Sequence, residues 1–228
     1  MKKSFLIIMS LTLSIYAQSF VVEKIDGNVL ALIGFNEEWT KVKVGQILKG
    51  TDLISTGEKS LIQLNNNGNR FILQSNSALS INNIKKISLN ELLLALAMEE
   101  IRNVPNFKEN NSRRNTAVYG EKVSNVSPNK SLVSDLGIKK LNGAKQLAIN
   151  GYRESAILLA KETYRKYPET KSRIDDRLFF VNLMIELQLF NEAATDLYEL
   201  EKMKLTKEQH EKVEHYFEII NDKILKNN

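Results

Sequence analysis

The stretch Trp39-Thr-Lys-Val-Lys-Val-Gly45-Gln-Ile-Leu-Lys-Gly50-Thr-Asp52-Leu-Ile-Ser-Thr56-Gly57 sets the fold of the first half of the chain. Its three glycines mark turns that separate short runs of β-branched and aliphatic residues, which is typical of strands in a sheet. The alternation of Val42 and Val44 with lysines predicts a strand with one exposed face. The glycines most simply supply positive φ or tight turns, while Asp52 and Thr56 are expected to bond to the turn backbone.

Turn signals continue on both sides of this stretch. Asp26-Gly27 lies between two apolar runs and predicts a hairpin. Further on, the turn Asn65-Asn-Asn-Gly68-Asn separates another two such runs. Turns that recur about every eight to twelve residues indicate an all-β sandwich, barrel or roll.

A helix is predicted to close this β region. Ser88-Leu-Asn-Glu91 forms a capping box, the leucines that follow recur with helical spacing, and Val104-Pro105 ends the run. The segment Leu92-Leu-Leu-Ala-Leu96 also suits a buried strand, so a last pair of strands is the alternative.

The order of turn residues in this region resembles that of a known family. The residues that carry the resemblance are Gly27-Asn-Val, Trp39, Val44-Gly45-Gln-Ile-Leu, Gly50-Thr-Asp52-Leu-Ile, Thr56-Gly57 with Ser60, Asn67-Gly68 and Asn76-Ser77. Over about residues 21–87 they look like the FecR-like domain family, a periplasmic module named for a ferric-citrate signal transducer. The resemblance implies a non-catalytic β module of the cell envelope that contacts protein or polymer. Inward signalling is not implied, since only a short export signal stands where the family's regulators carry a cytoplasmic segment and a membrane helix.

The first residues predict that the chain is exported. Lys2 and Lys3 form a basic start, and the apolar run Phe5–Tyr16 is shorter than the about 20 residues of a membrane-spanning helix. Residues 1–17 therefore read as a signal peptide, with cleavage after Ala17 or after Ser19, and an uncleaved anchor is the alternative. The expected location is the periplasm of a bacterium or the medium.

Composition removes several functional classes. The chain has no cysteine, so it is not expected to be a lipoprotein or to hold a disulfide or a thiolate-bound metal. Its formal charge of +5 includes Lys2 and Lys3, which leaves +3 (5 minus 2) after signal removal. The basic residues stand among acids without interleaved aromatics, so nucleic acid is not an expected partner.

The second half of the chain predicts a different architecture. Residues 105–136 are rich in Asn, Ser, Lys and Arg and predict a flexible linker after the FecR-like β domain of residues 20–104. Residues 137–228 predict about five amphipathic helices, with breaks at Asn150-Gly151 and before Pro168. The fold class is therefore α+β in two modules, a β domain closed by a helix and then helical hairpins.

The spacing of small residues in the first helical hairpin resembles a tetratricopeptide repeat. Ala144, Gly151, Ala156, Ala160 and Pro168 carry this resemblance, because small residues let two antiparallel helices approach and the proline ends the second. A degenerate second copy follows over residues 174–203. A last helix after the capping box Thr206-Lys-Glu-Gln209 is expected to cap the stack.

Residues that could perform chemistry are scarce. His210 and His215 are five apart and lie on different faces of one helix, so they fit no metal pair. Neither a nucleophile elbow nor a glycine-rich phosphate loop occurs, so no catalytic, cofactor or metal residue is predicted. Trp39, the lone tryptophan, is the one candidate contact residue, either as a stacking platform or as a core or edge anchor.

These observations predict an exported, non-catalytic binding or scaffold protein of the cell envelope. Its partners are expected to be envelope proteins, with self-association as a further option and no cofactor. The alternative is binding of peptidoglycan or another glycan by the β domain, with Trp39 as the platform. A cryptic hydrolase whose site is assembled from distant residues is the third hypothesis.

Overall fold

The computed structural model describes residues 18–103 and 130–226. Eight strands come first within these ranges: β1 (Ser19–Asp26), β2 (Val29–Leu32), β3 (Thr40–Lys41), β4 (Ile47–Lys49), β5 (Leu53–Thr56), β6 (Leu61–Asn66), β7 (Asn69–Leu73) and β8 (Ala78–Ser80). Six α-helices follow: α1 (Leu89–Asn103), α2 (Lys130–Ile149), α3 (Arg153–Lys166), α4 (Ile174–Glu186), α5 (Phe190–Glu201) and α6 (Lys207–Lys226). The predicted α+β class is confirmed at this level, with a β region followed by a helical region.

The strands form two four-stranded sheets in which every pairing is antiparallel. The first sheet has the order β4-β1-β6-β7, and the second has the order β3-β2-β5-β8. Alternate residues point inward, as in β6, where Ile62 and Leu64 are buried and Gln63 is not. Inward side chains from both sheets join one apolar core that also contains Phe20, Phe71 and Ile54. Burial of this core holds the β region together.

Two polar side chains of the quoted stretch fix the turns. The buried Asp52 carboxylate accepts the amides of Gly34 and Lys49, both at 2.8 Å. The Thr56 hydroxyl accepts the Ser77 amide at 3.0 Å and donates to the Gln74 carbonyl at 2.6 Å. The predicted bonding of Asp52 and Thr56 to turn backbone is confirmed, so these residues build the fold.

The two turns that the sequence predicted at Asp26-Gly27 and at Asn65–Asn69 have different outcomes. Asn67 and Gly68 have φ of 50° and 86° and join β6 to β7, as expected for an Asn-Gly turn with positive φ at both positions. The prediction of a hairpin at Asp26-Gly27 was wrong, because β1 and β2 lie in different sheets. The Asn28 amide donates to the Ser60 hydroxyl at 2.9 Å, and this contact turns the chain from one sheet into the other.

Helix α1 forms where the capping box predicted it. The Glu91 amide donates to the Ser88 hydroxyl at 3.2 Å, and the Ser88 amide donates to the Glu91 carboxylate at 2.7 Å. The second capping box starts α6 in the same way, with a 3.2 Å bond from the Gln209 amide to the Thr206 hydroxyl. The alternative of two closing strands is therefore excluded for residues 89–103.

The helical region contains the five predicted helices, α2 to α6, within the described part of the chain. The predicted breaks at Asn150-Gly151 and before Pro168 separate α2 from α3 and end α3. Helix α2 starts at Lys130, so residues 130–136, predicted as linker, are helical. The rest of the predicted linker and the predicted signal peptide of residues 1–17 lie outside the described residues.

Ion pairs connect alternate helices of this region. Lys145 on α2 lies 2.6 Å from the Asp176 carboxylate on α4, and Lys161 on α3 lies 2.7 Å from Asp196 on α5. Both aspartates are buried and both lysines are half-buried. The second helical hairpin is therefore held on the first by two equivalent Lys–Asp contacts.

Helix α2 packs directly on the edges of both sheets. Gly143 lies against the backbone of Ala78 in β8, where a Cβ would overlap the Ala78 carbonyl oxygen. At the end of the helix, the Asn150 side chain accepts the Ile72 amide and donates to the Ile72 carbonyl, both at 3.1 Å. The two regions therefore share a continuous core and are joined through β7 and β8.

Replacement of Gly143 by alanine tests this contact. We expect Gly143→Ala to lower the free energy of unfolding by about 1–3 kcal/mol through overpacking, although alanine is the better helix former by about 1 kcal/mol. The measurement is urea unfolding followed by circular dichroism. Ile149→Ala, an exposed position on the same helix, is the control and is expected to change stability by less than about 0.5 kcal/mol. Stabilisation by Gly143→Ala would contradict the close approach.

Candidate functional site

Trp39, the residue singled out from the sequence, lies in the loop between β2 and β3. Its exposed fraction is 39%, and none of the hydrogen bonds or ring contacts among residues 18–103 and 130–226 involves its indole. Phe35 lies in the same loop with an exposed fraction of 96%. Near the start of this loop, the Gly34 amide donates to the Asp52 carboxylate. Trp39 is therefore a surface residue beside the edge strand β3, and the loop presents two exposed aromatic rings.

A second site lies where α1 meets the helical region. A cavity of about 460 Å³ opens between α1, α3, α4 and α5, and we call it the charged chamber. Its lining residues are Leu96, Lys161, Tyr164, Arg165, Pro168, Lys171, Arg177, Glu192, Thr195, Asp196 and Glu199. Leu96 comes from the β region's closing helix and the others come from the helical region. The helical region therefore forms most of the chamber, and α1 adds one wall residue.

Most charges of this chamber are paired across helices. Arg177 on α4 is almost fully buried and donates to the Glu199 carboxylate at 2.8 Å. Its guanidinium also lies 3.8 Å from the Asp196 carboxylate, which accepts Lys161 at 2.7 Å. Lys171 makes no ion pair or side-chain hydrogen bond with the described residues. It supplies positive charge to the chamber without a partner.

The hydroxyl of Tyr164 has no partner within this network. The residue is 6% exposed, and its Oη is a buried atom without a hydrogen bond. Burial raises the pKa of Tyr164 well above its ordinary value, and the nearby carboxylates of Asp176 and Asp196 raise it further. The hydroxyl therefore keeps its proton and is a donor. An unpaired buried donor costs about 1–3 kcal/mol.

A second cavity adjoins the first at Glu192. Its volume is about 450 Å³, and we call it the leucine chamber. Its lining residues are Leu89, Leu93, Gln188, Leu189, Phe190, Asn191, Glu192 and Ile224. Leu89 and Leu93 are partly exposed on α1, although Leu92 and Leu96 of the same helix are buried. The helix thus turns a second apolar side toward open space.

The sequence predictions did not include the charged chamber or the leucine chamber, which we together call the groove. Tyr164 is separated from its neighbours Arg177 and Asp196 by 13 and 32 positions along the chain. The sequence contains one signal of this site, the run of leucines in α1. These leucines cover more of the helix surface than a single buried face requires.

The two histidines were not expected to form a metal site. His210 and His215 are exposed on α6, each beside a glutamate, at 3.3 Å from Glu214 and 3.9 Å from Glu218. Among the described residues, no three metal-ligating side chains are grouped to hold an ion. Likewise, none of the helices in residues 18–103 and 130–226 has the length and apolar character to cross a bilayer.

Comparison with known proteins identified no relative. A scan against protein-family models, a search of curated proteins and a search of solved structures each gave no match. The FecR-like and tetratricopeptide-like resemblances therefore stay predictions from the sequence. The function is inferred below from the groove and from the aromatic loop.

Proposed function

We propose that this chain is an exported, non-catalytic binding protein of the bacterial cell envelope that holds other proteins in the groove. The observation that carries the proposal is the charged chamber, where the buried and unpaired Tyr164 hydroxyl lies among ion pairs that join α3 and α4 to α5. Pockets that bind ligands are concave, mostly apolar and provided with a few converging polar groups. The charged chamber combines Leu96 on one wall with paired charges on the other.

The arrangement of charges supports binding more than catalysis. Lys161 and Arg177 already contact carboxylates, so neither is available as a base or as a nucleophile without loss of an ion pair. Buried pairs of this kind hold helices in register and present a fixed surface. The FecR-like and tetratricopeptide-like interpretations agree with this function, since both predict modules that contact other proteins.

Site-specific photo-crosslinking tests the proposal. A benzophenone amino acid in place of Thr195, which is exposed on α5 and lines the charged chamber, is expected to capture identifiable envelope proteins in living cells. The same amino acid in place of His215, exposed on the far helix α6, is the matched control and is expected to capture none of them. Captured proteins are identified by mass spectrometry. Equal capture at both positions, or none at Thr195, would count against the proposal.

Removal of the signal peptide after export would give the mature chain a defined first residue. Ser19 pairs with Lys49 in the first sheet, and the Gln18 side chain donates to the Ile84 carbonyl. Cleavage after Ser19 would remove both contacts and place a charged amino group on the buried Phe20. We therefore expect cleavage after Ala17.

The protein recovered from the periplasm is expected to start at Gln18, as read by mass spectrometry of its first peptide. A start at Phe20 would show that these contacts are dispensable. A start at Met1 would contradict cleavage and favour an uncleaved anchor.

Glycan binding by the aromatic loop is the second candidate function, and the exposure of both Phe35 and Trp39 favours it. Aromatic rings stack on the apolar faces of sugars because both surfaces lose water on contact. Trp39→Ala is then expected to lower retention on isolated peptidoglycan sacculi at least about tenfold, the effect of about 1.4 kcal/mol. Val44→Ala, at another exposed apolar position, is the control. Full retention of the Trp39→Ala variant on the sacculi would contradict glycan binding by this loop.

A further inference from the structure

The aromatic loop, residues 33–39 between β2 and β3, lies at the same end of the β region as the start of β1. Near the start of the loop, the Gly34 amide donates to the Asp52 carboxylate, which also accepts the Lys49 amide. Lys49 pairs with Ser19, the first residue of β1. Two hydrogen bonds and one strand pairing therefore connect the loop to Ser19. We call this part of the molecule the aromatic end.

Ser19 closely follows an apolar run of the sequence. The run Phe5–Tyr16 ends three residues before it. On the proposed export, this run lies in the bilayer while the chain crosses the membrane, whether it is then removed or kept as an anchor. Ser19 is then among the first residues outside the bilayer. The aromatic end is therefore the part of the folded chain that forms next to the membrane.

The two exposed rings of the aromatic loop suit the boundary between water and lipid. Tryptophan is enriched there, because its large apolar body and its N–H group are both satisfied at the level of the headgroups. Phe35 is 96% exposed, so entry into this layer removes nearly its whole side chain from water. A ring that only stacks on sugars could lie anywhere on the β region. A membrane contact requires a position beside the apolar run, and the loop has that position.

The charges of the aromatic end neither repel a phospholipid surface nor attract it strongly. The Gln18 side chain donates to the Ile84 carbonyl, which places the residues after Ile84 at this end as well. The exposed lysines at or next to the aromatic end are Lys41, Lys49, Lys85 and Lys86. The acids are Glu37 and Glu38 in the loop, the buried Asp52, and Glu91, which interacts electrostatically with Lys85. The two signs balance, so burial of the rings has to supply the binding.

We propose that the aromatic end of the β region lies on a phospholipid bilayer, with Phe35 and Trp39 at the level of the headgroups. This contact rests on the proposed export and adds a membrane surface to the proposed binding of envelope proteins. Even one myristoyl chain gives only marginal, reversible attachment. Two rings therefore orient the chain on the membrane and do not anchor it.

The lone tryptophan makes a fluorescence test specific for this loop. Because Trp39 is the one tryptophan of the chain, its emission reports on the loop without a label. The chain from Gln18 onward, which contains every residue that the structure describes, is titrated with vesicles of phosphatidylethanolamine and phosphatidylglycerol. We expect a saturable shift of the emission to shorter wavelength, and stronger quenching by lipids brominated near the headgroup than by lipids brominated at the chain end. High salt is expected to leave the lipid affinity nearly unchanged, because the charges balance.

The absence of a shift up to about 10 mM lipid would overturn the inference, since attachment about a hundred times weaker than that of one myristoyl chain would half-saturate there. A shift with isolated sacculi but not with vesicles would also overturn it, and would favour the glycan candidate instead.

Two variants locate the contact. Phe35→Ser keeps Trp39 as the reporter and is expected to weaken vesicle binding at least about tenfold, because one large apolar ring no longer leaves water. Leu225→Ser removes another highly exposed apolar side chain, on α6, and is expected to bind as the unchanged chain does. Neither variant is expected to lower the unfolding temperature, because both side chains lie in water. Equal loss of binding in both variants, or full binding of Phe35→Ser, would contradict insertion of the loop.

The outcome is distinguishable from failure of the proposed function. Capture of envelope proteins at Thr195 without vesicle binding would overturn the membrane contact alone. Vesicle binding without capture at Thr195 would contradict the protein-binding function and support the membrane contact. The titration uses the purified chain, so its result does not depend on export in the cell.

Discussion

The contact between α2 and the edges of the two sheets is the constraint on which the other features depend. Edge strands leave N–H and C=O groups unpaired, and Asn150 satisfies both groups of Ile72 with its side-chain amide, which has the donor and acceptor of a peptide unit. Two turns earlier, Gly143 has no Cβ and lets the helix touch the Ala78 carbonyl. A larger residue would push the helical region away from the β region.

The contact of α2 with the edges of the two sheets determines where the remaining helices lie. Helix α3 follows α2 immediately, and its first turn is fixed to the β region by the Ser155 hydroxyl, which donates to the Lys85 carbonyl at 2.5 Å. Tyr152 packs edge-to-face on Phe71 with ring centroids 5.9 Å apart. Helix α1 then packs on α3, and its outer side faces α5 across open space. The groove is the gap that this arrangement leaves, and α1 forms its wall although it belongs to the β region.

Local signals in the sequence predicted local structure. The capping box at Ser88 and the Asn67-Gly68 turn depend on residues a few positions apart, so their backbone bonds follow from the sequence alone. Asp26-Gly27 has the same local signal, but its outcome depends on Ser60, more than thirty positions away. Val44, expected in a strand, is exposed in the turn at Gly45 because β3 ends at Lys41. The groove could not be predicted from the sequence. It depends on α1 lying beside the helical region, and no local pattern indicates that placement.

The groove contains polar groups that cost stability, which agrees with the binding function proposed above. A buried ion pair contributes little to stability compared with apolar residues of the same volume, and a phenylalanine at position 164 would fill the same space without an unpaired hydroxyl. These costly groups, Tyr164, Arg177 and Asp196, lie together at the junction of the two regions. On the function proposed above, a ligand that touches both α1 and α5 would stabilise the packing of the two regions by about 2.7 kcal/mol at a concentration of one hundred times its Kd.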